Sequence, residues 1–233
     1  MNSANISSLF LFVTLKAVLG IKRAVIPIVM ILCGMSAGIL IASVIYAFTG
    51  FAFLGSVQRQ TVAADNPDNA EITMLAYTVL EYIRDDDFTS LSSVVHPVFG
   101  VVFSPYATIN LSTNQRFSAE EVASLNTDSH VYMWGVYNGS GEPITLTPPE
   151  YFEKFVPAAD HINAPVVGIN RIVRTGNALE NMTDVFPNVK FVDFHIPGSE
   201  SVDELDWSSL RLGFEEYDGQ LRLIAIIYNT WTV

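Results

Sequence analysis

Four histidines, at 96, 130, 161 and 195, and one cysteine, Cys33, have the widest chemical reach in this 233-residue chain. His96 precedes Pro97 at the expected end of a helix, where an imidazolium meets the helix dipole favourably. With Ser104 and Tyr106 nearby, and a carboxylate such as Glu142 or Glu215, it is also placed to act as a general base. Asp193 and His195 lie two apart on an expected strand and share one face. They read either as a solvated face or as two metal ligands that need a third. His130 and the pair Asp160-His161 fit no pattern. Trp134, Tyr137, Tyr151, Trp207 and Trp231 read as core filling or as the lining of a pocket for an apolar or sugar ligand. His96, Tyr106, Trp134, Tyr151, Trp207 and Trp231 form the candidate ligand-binding set. No catalytic residue or metal ligand is assigned, and no cofactor is implied.

Several chemistries are excluded. HExxH, Walker and GxSxG motifs are missing, and Gly139-Ser140-Gly141 reads as a turn. One cysteine rules out intrachain disulfides, cysteine zinc sites and CxxC redox chemistry. Asp85-Asp86-Asp87 lacks the glycine and spaced oxygens of a calcium loop, so it reads as a solvated turn and N-cap. Asn170, Asn177 and Asn181 recur in loops and read as structural.

Charge divides the chain in two. Residues 1–55 hold no acid and three bases, Lys16, Lys22 and Arg23, which leaves nine bases against 24 acids in 56–233, a net charge of −15 there. So acidic a domain repels phosphate, which excludes nucleic acid as a partner. Residues 1–23 read as a cytoplasmic or interfacial N-terminus and 24–54 as a transmembrane helix, since a span needs ~20 apolar residues. The bases precede this run, so the N-terminus is expected inside and the acidic domain outside the cell membrane. A cleaved signal peptide, cut after Val62-Ala63-Ala64, is the rival reading, but its apolar core should be only ~7–15 residues. Gly34 and Gly38 form a GxxxG pair that would let two such helices meet as a homodimer. Residues 55–66 read as a linker.

The domain at 67–233 must position the candidate residues. Ile72, Leu75, Ala76, Val79, Leu80 and Ile83 recur at helical spacing behind Pro67, and the acid triplet stops that helix and caps a second one through Phe88, Leu91 and Val95. Strands are expected at 98–103 and 106–111. Ser118 and Glu121 form a capping box for a helix over 119–125. Residues 130–137 read as a strand before the turn Asn138-Gly139-Ser140-Gly141. Thr147 and Pro148 open a helix with Tyr151, Phe152 and Phe155. Residues 189–196 read as a strand. Leu210, Leu212 and Phe214 alternate with Arg211 and Glu215, and Asp218-Gly219 turns the chain into a last strand, a hairpin signature. The fold class expected is α+β, an N-terminal single transmembrane helix followed by helices packed on a curved antiparallel sheet.

Several blocks together resemble a bacterial extracytoplasmic family of unknown function, often found as lipoproteins. They are His96-Pro97 with Phe103-Ser104-Pro105-Tyr106; Trp134-Gly135 with Gly139-Ser140-Gly141-Glu142-Pro143; Glu150-Tyr151; Gly176-Asn177 with Asn181; Trp207 with Ser209-Leu210-Arg211-Leu212; and Trp231-Thr232-Val233. The resemblance covers about 70–233. The chain departs from it at Tyr228 and Asn229, where a histidine and an acid are expected, and in lacking a lipid-anchoring cysteine. The helix pair and closing sheet also resemble the cystatin-like cone of the nuclear-transport-factor-two and polyketide-cyclase group. That resemblance implies a pocket at the mouth of the sheet, and no particular reaction. The expected function is a membrane-anchored outer domain that binds a small ligand or an envelope protein. The alternatives are an envelope hydrolase or isomerase using a histidine–carboxylate pair, and a purely structural dimerisation domain.

Overall fold

The computed structural model describes residues 60–61 and 67–232. The helix expected at 24–54 with Gly34 and Gly38, the segment 1–23 and most of the linker lie outside the described residues. Helix α1 runs Pro67–Arg84 and buries Ile72, Ala76, Val79, Leu80 and Ile83, the face its spacing marks out. Asp86 takes a left-handed conformation (φ 56°) that reverses the chain. The Asp87 carboxylate then accepts the Ser90 N–H at 3.0 Å and caps α2, Phe88–Val94.

Two capping boxes fix two further helices. Ser118 and Glu121 open α3, Ala119–Val122, and Thr147 and Glu150 open α4, Pro148–Phe155. Short helices α5, Ala158–His161, and α6, Met182–Val185, follow. The strands are β1 Gln60–Thr61, β2 Val101–Ser104, β3 Gln115–Phe117, β4 Tyr132–Val136, β5 Pro143–Leu146, β6 Val166–Ile169, β7 Lys190–Ile196, β8 Ser208–Tyr217 and β9 Gln220–Thr230. Asp218 (φ 52°) and Gly219 (φ 72°) both sit at positive φ between β8 and β9, as a type I′ turn requires.

Seven strands form one sheet in the order β1-β6-β7-β8-β9-β2-β3, and β4-β5 form a separate hairpin. The expected fold class is corrected here. The sheet is mixed, because β1 runs parallel to β6 and β2 parallel to β9. Among the described residues, no helix is long and apolar enough to cross a membrane. The parallel pairing of β2 follows from how the chain leaves α2. The His96 N–H donates to the Leu223 carbonyl at 3.0 Å, and Val95 already bridges Leu223 in parallel. The strand expected at 106–111 does not form, since the Ser104 hydroxyl bonds the carbonyls of Tyr106 and Thr108 and coils the chain there.

Both faces of the central strands are buried. Val192, Phe194, Leu210, Leu212, Phe214 and Ile226 pack in the larger core with the α1 stripe. The opposite face carries Phe191, Asp193 and His195 on β7, Ser209 and Arg211 on β8, and Ala225, Ile227 and Asn229 on β9. Met182, Phe186 and Phe99 pack against the apolar part of that face. Arg211 and Asp193 are therefore interior residues, where alternation had placed them towards solvent.

Candidate functional site

The residues of the expected ligand-binding set separate into four places. Trp134 and Tyr151 are fully buried in the larger core and stack face to face, 3.8 Å between centroids. The Trp134 indole N–H donates to the Leu146 carbonyl at 2.9 Å. Tyr106 adjoins the same cluster through Phe155, 6.2 Å away, and burial pushes its hydroxyl pKa up. Trp207 is buried on the other side of the sheet, beneath the Arg174 guanidinium at 5.4 Å. Trp231 is 42% exposed at the end of the chain. His96 stands apart: its Nδ1 accepts the N–H groups of Val98 and Phe99 at 3.3 and 3.0 Å, and its ring meets Tyr217 edge-on at 4.9 Å. With two backbone N–H groups on one nitrogen, the ring caps the turn at 97–99.

The polar face of the sheet holds an ion network that sequence reading did not assemble. Arg211, fully buried, donates to Glu180 at 2.6 Å and to Asp193 at 3.2 Å. Burial opposes its charge, but Asp193 and Glu180 outweigh it and hold the guanidinium pKa above its ordinary value. Asp193 Oδ2 also accepts the Val173 N–H at 2.9 Å, and Asn229 donates to Glu180 at 3.1 Å. The segment 170–181 is thus fastened to the sheet. Asn170 bonds Phe191, Asn177 bonds Thr232 and Asn181 bonds Ile109, three structural asparagines as their loop positions suggest. Among the described residues, no group of three or more acids, histidines or cysteines is arranged to hold a metal ion.

Adjacent serines on β8 each meet a histidine, on opposite faces of the sheet. Ser209 bonds His195 Nδ1 at 2.9 Å, with both residues buried. Ser208 lies 3.2 Å from His161 Nε2, and His161 Nδ1 meets the Pro157 carbonyl at 3.0 Å. Burial lowers the pKa of both histidines below the usual imidazole value.

A cleft of about 380 Å³ opens on the helical side of the domain. Ile83, Phe88, Phe152 and Val156 give its apolar floor, with Phe88 and Phe152 in edge contact at 4.9 Å. Pro149, Pro157, Ala158 and Ala159 make one wall. Arg84, Asp86, Asn126 and Glu153 supply its polar groups. Arg84 is occupied by a bidentate pair with Asp85 at 2.7 and 2.8 Å, and Asn126 donates to the Asp86 carbonyl at 3.3 Å. Asp86 and Glu153 form no ion pair among the described residues, so the rim is acidic. Sequence reading singled out none of these residues as a site. The acid triplet, Pro149 in the first turn of α4 and Pro157 after it mark the walls, but only the packing of α4 on the α1–α2 turn makes them concave.

No family model, no curated protein and no solved structure matches this chain.

Proposed function

We propose that the domain is a binding module whose cleft between residues 83–88 and 149–159 takes an apolar group that carries a positive charge, on a small ligand or on a segment of an envelope protein. The observation that carries this reading is the cleft itself, a concave site with an aromatic and aliphatic floor and a few polar groups at its rim. The acidic rim selects the ligand class. Asp86 and Glu153 line the cleft and form no ion pair among the described residues, while Arg84 there is tied to Asp85. The net charge of −15 over 56–233 adds a field that attracts cations and repels anions. In this reading the acidic domain faces outward from the cell membrane, which the charge asymmetry along the chain supports. A histidine–carboxylate hydrolase is not favoured, because the contacts of His96 run to Val98, Phe99 and Tyr217 and include neither Glu142 nor Glu215.

Three probes of one shape test the reading: benzylamine, benzyl alcohol and benzoate. Calorimetric titration of the full-length chain should rank them amine first, alcohol second and benzoate last. The double variant Asp86→Asn, Glu153→Gln should bring amine and alcohol to equal affinity. Equal affinities for all three in the wild-type chain, or an unchanged order in the variant, would contradict the reading.

A further inference from the structure

We propose that Ser208 is an activated nucleophile with His161 as its general base, a second site on the sheet that transfers acyl groups from small esters. Ser208 is the first residue of β8, at the end of the sheet, and keeps part of its surface open. His161 reaches it from α5, with Nε2 3.2 Å from the hydroxyl oxygen. The other ring nitrogen decides the chemistry. Nδ1 meets the Pro157 carbonyl at 3.0 Å, and a carbonyl can only accept, so Nδ1 carries the proton. Nε2 then presents its lone pair to the serine hydroxyl. This is the arrangement a general base needs: nucleophile, base, and a third group that fixes the base's tautomer and orientation. A backbone carbonyl plays the third part here.

The surroundings favour the neutral base. On its side of the sheet the titratable groups are Asp160 on the same helix and Tyr228 on β9, while Asp193 and His195, on the other face of β7, act on it only through their charge. Burial outweighs the two carboxylates and keeps the imidazole pKa below its usual 6.5, so the ring is free to accept a proton at neutral pH. The neighbouring pair Ser209–His195 lacks these features. Both of its residues are buried, and the hydrogen bond to the serine uses Nδ1.

In the reaction, Ser208 Oγ bonds the ester carbonyl carbon while its proton passes to His161 Nε2. The tetrahedral adduct collapses, the C–O bond to the alcohol breaks, and the imidazolium returns the proton to the departing oxygen. Water then attacks the acyl-serine with the same proton relay, releasing the carboxylic acid and restoring the serine. Oxidation states do not change and no further reactant is required.

A fluorophosphonate tests the first step, since Oγ–P forms as P–F breaks and the proton goes to His161. The full-length chain is incubated with the reagent at pH 7.5 and the adduct located by peptide mass spectrometry. The adduct should sit on Ser208, with Ser209 unmodified. Ser208→Ala should abolish it, and His161→Gln should slow it by roughly 10²-fold or more. The wild-type pH profile serves even if the His161 variant fails to fold. Labelling should be level from about pH 7 to pH 9 and fall about tenfold per pH unit at the acid end. No adduct at Ser208, a rate unchanged by His161→Gln in a folded chain, or a rate rising tenfold per unit up to pH 9 would each overturn the proposal.

Discussion

The Pro157 carbonyl holds His161 Nδ1 at 3.0 Å, while the same proline forms part of the wall of the acidic cleft. One short helix thereby serves two places, its first turn facing the cleft and its last residue facing β8. Pro157→Ala separates them, because alanine keeps the carbonyl and loses the ring. Benzylamine affinity should fall a few fold and labelling of Ser208 should stay within about twofold. Stability should drop by ~0.4–1 kcal/mol through the freer unfolded chain. Calorimetry, adduct rates and a thermal melt read the three effects.

Two glycines should respond very differently to alanine. A Cβ at Gly219 meets nothing within 4 Å, so only its positive φ opposes the change. Gly219→Ala should cost roughly 1 kcal/mol. A Cβ at Gly100 (φ 83°) would lie 2.3 Å from the Phe117 carbonyl oxygen, on the backbone that pairs β2 with β3. Gly100→Ala should cost at least ~2 kcal/mol, the strain and the clash together. Equal shifts in urea midpoint would contradict this account of the two turns.

Arg211→Met removes the cation that, among the described residues, pairs with both carboxylates of the site, Asp193 and Glu180. Leaving buried charge uncompensated costs about 3–5 kcal/mol. The triple variant Arg211→Met, Asp193→Leu, Glu180→Gln should recover most of that loss. Equilibrium unfolding in urea measures both.

His161 makes stability depend on pH in a stated direction. Burial lowers its folded pKa below 6.5, and His195 shifts the same way. Above the unfolded value near 6.5 both states are neutral and their full contribution to stability is present. As pH falls below 6.5 the unfolded chain binds the proton first, so stability declines until the folded value is passed. The exposed acids Asp85, Asp87, Asp128, Glu150 and Asp206 have lowered pKa values and act in a separate window, below about pH 4. Urea midpoints at pH 7.5 and 5.5 should therefore differ more for the wild type than for His161→Gln. Identical differences would remove His161 from the account.

Local grammar was legible in the sequence; the sheet's second face was not. The α1 stripe, the capping box at Ser118, the caps at Thr147 and Asp87 and the Asp218-Gly219 turn all depend on neighbours within four residues, and each forms as its spacing implies. Arg211 depends on Glu180, 31 residues away, and on Asp193, 18 away, and nothing nearby announces that 170–181 folds over the sheet. Without that cover a polar residue alternating with Leu210 and Leu212 reads as exposed. The parallel entry of β2 beside β9 rests likewise on the contact of His96 with Leu223. Of the site, the aromatic residues were visible by type, but Trp134, Tyr151 and Trp207 are buried in the interior. Ser208 and His161, 47 residues apart, show no pattern in the chain.

Methyl-resolved NMR of the full-length chain titrated with benzylamine locates binding as well as detecting it. The methyl groups of Ile83, Val156, Ala158 and Ala159, all lining the cleft, should shift together along one saturating curve. Those of Ile224, Ala225 and Ile227, in the core on the far side of the sheet, should stay in place. Shifts confined to the far side, or none in the cleft methyls at tens of millimolar benzylamine, would contradict the assignment of this cleft as the binding site.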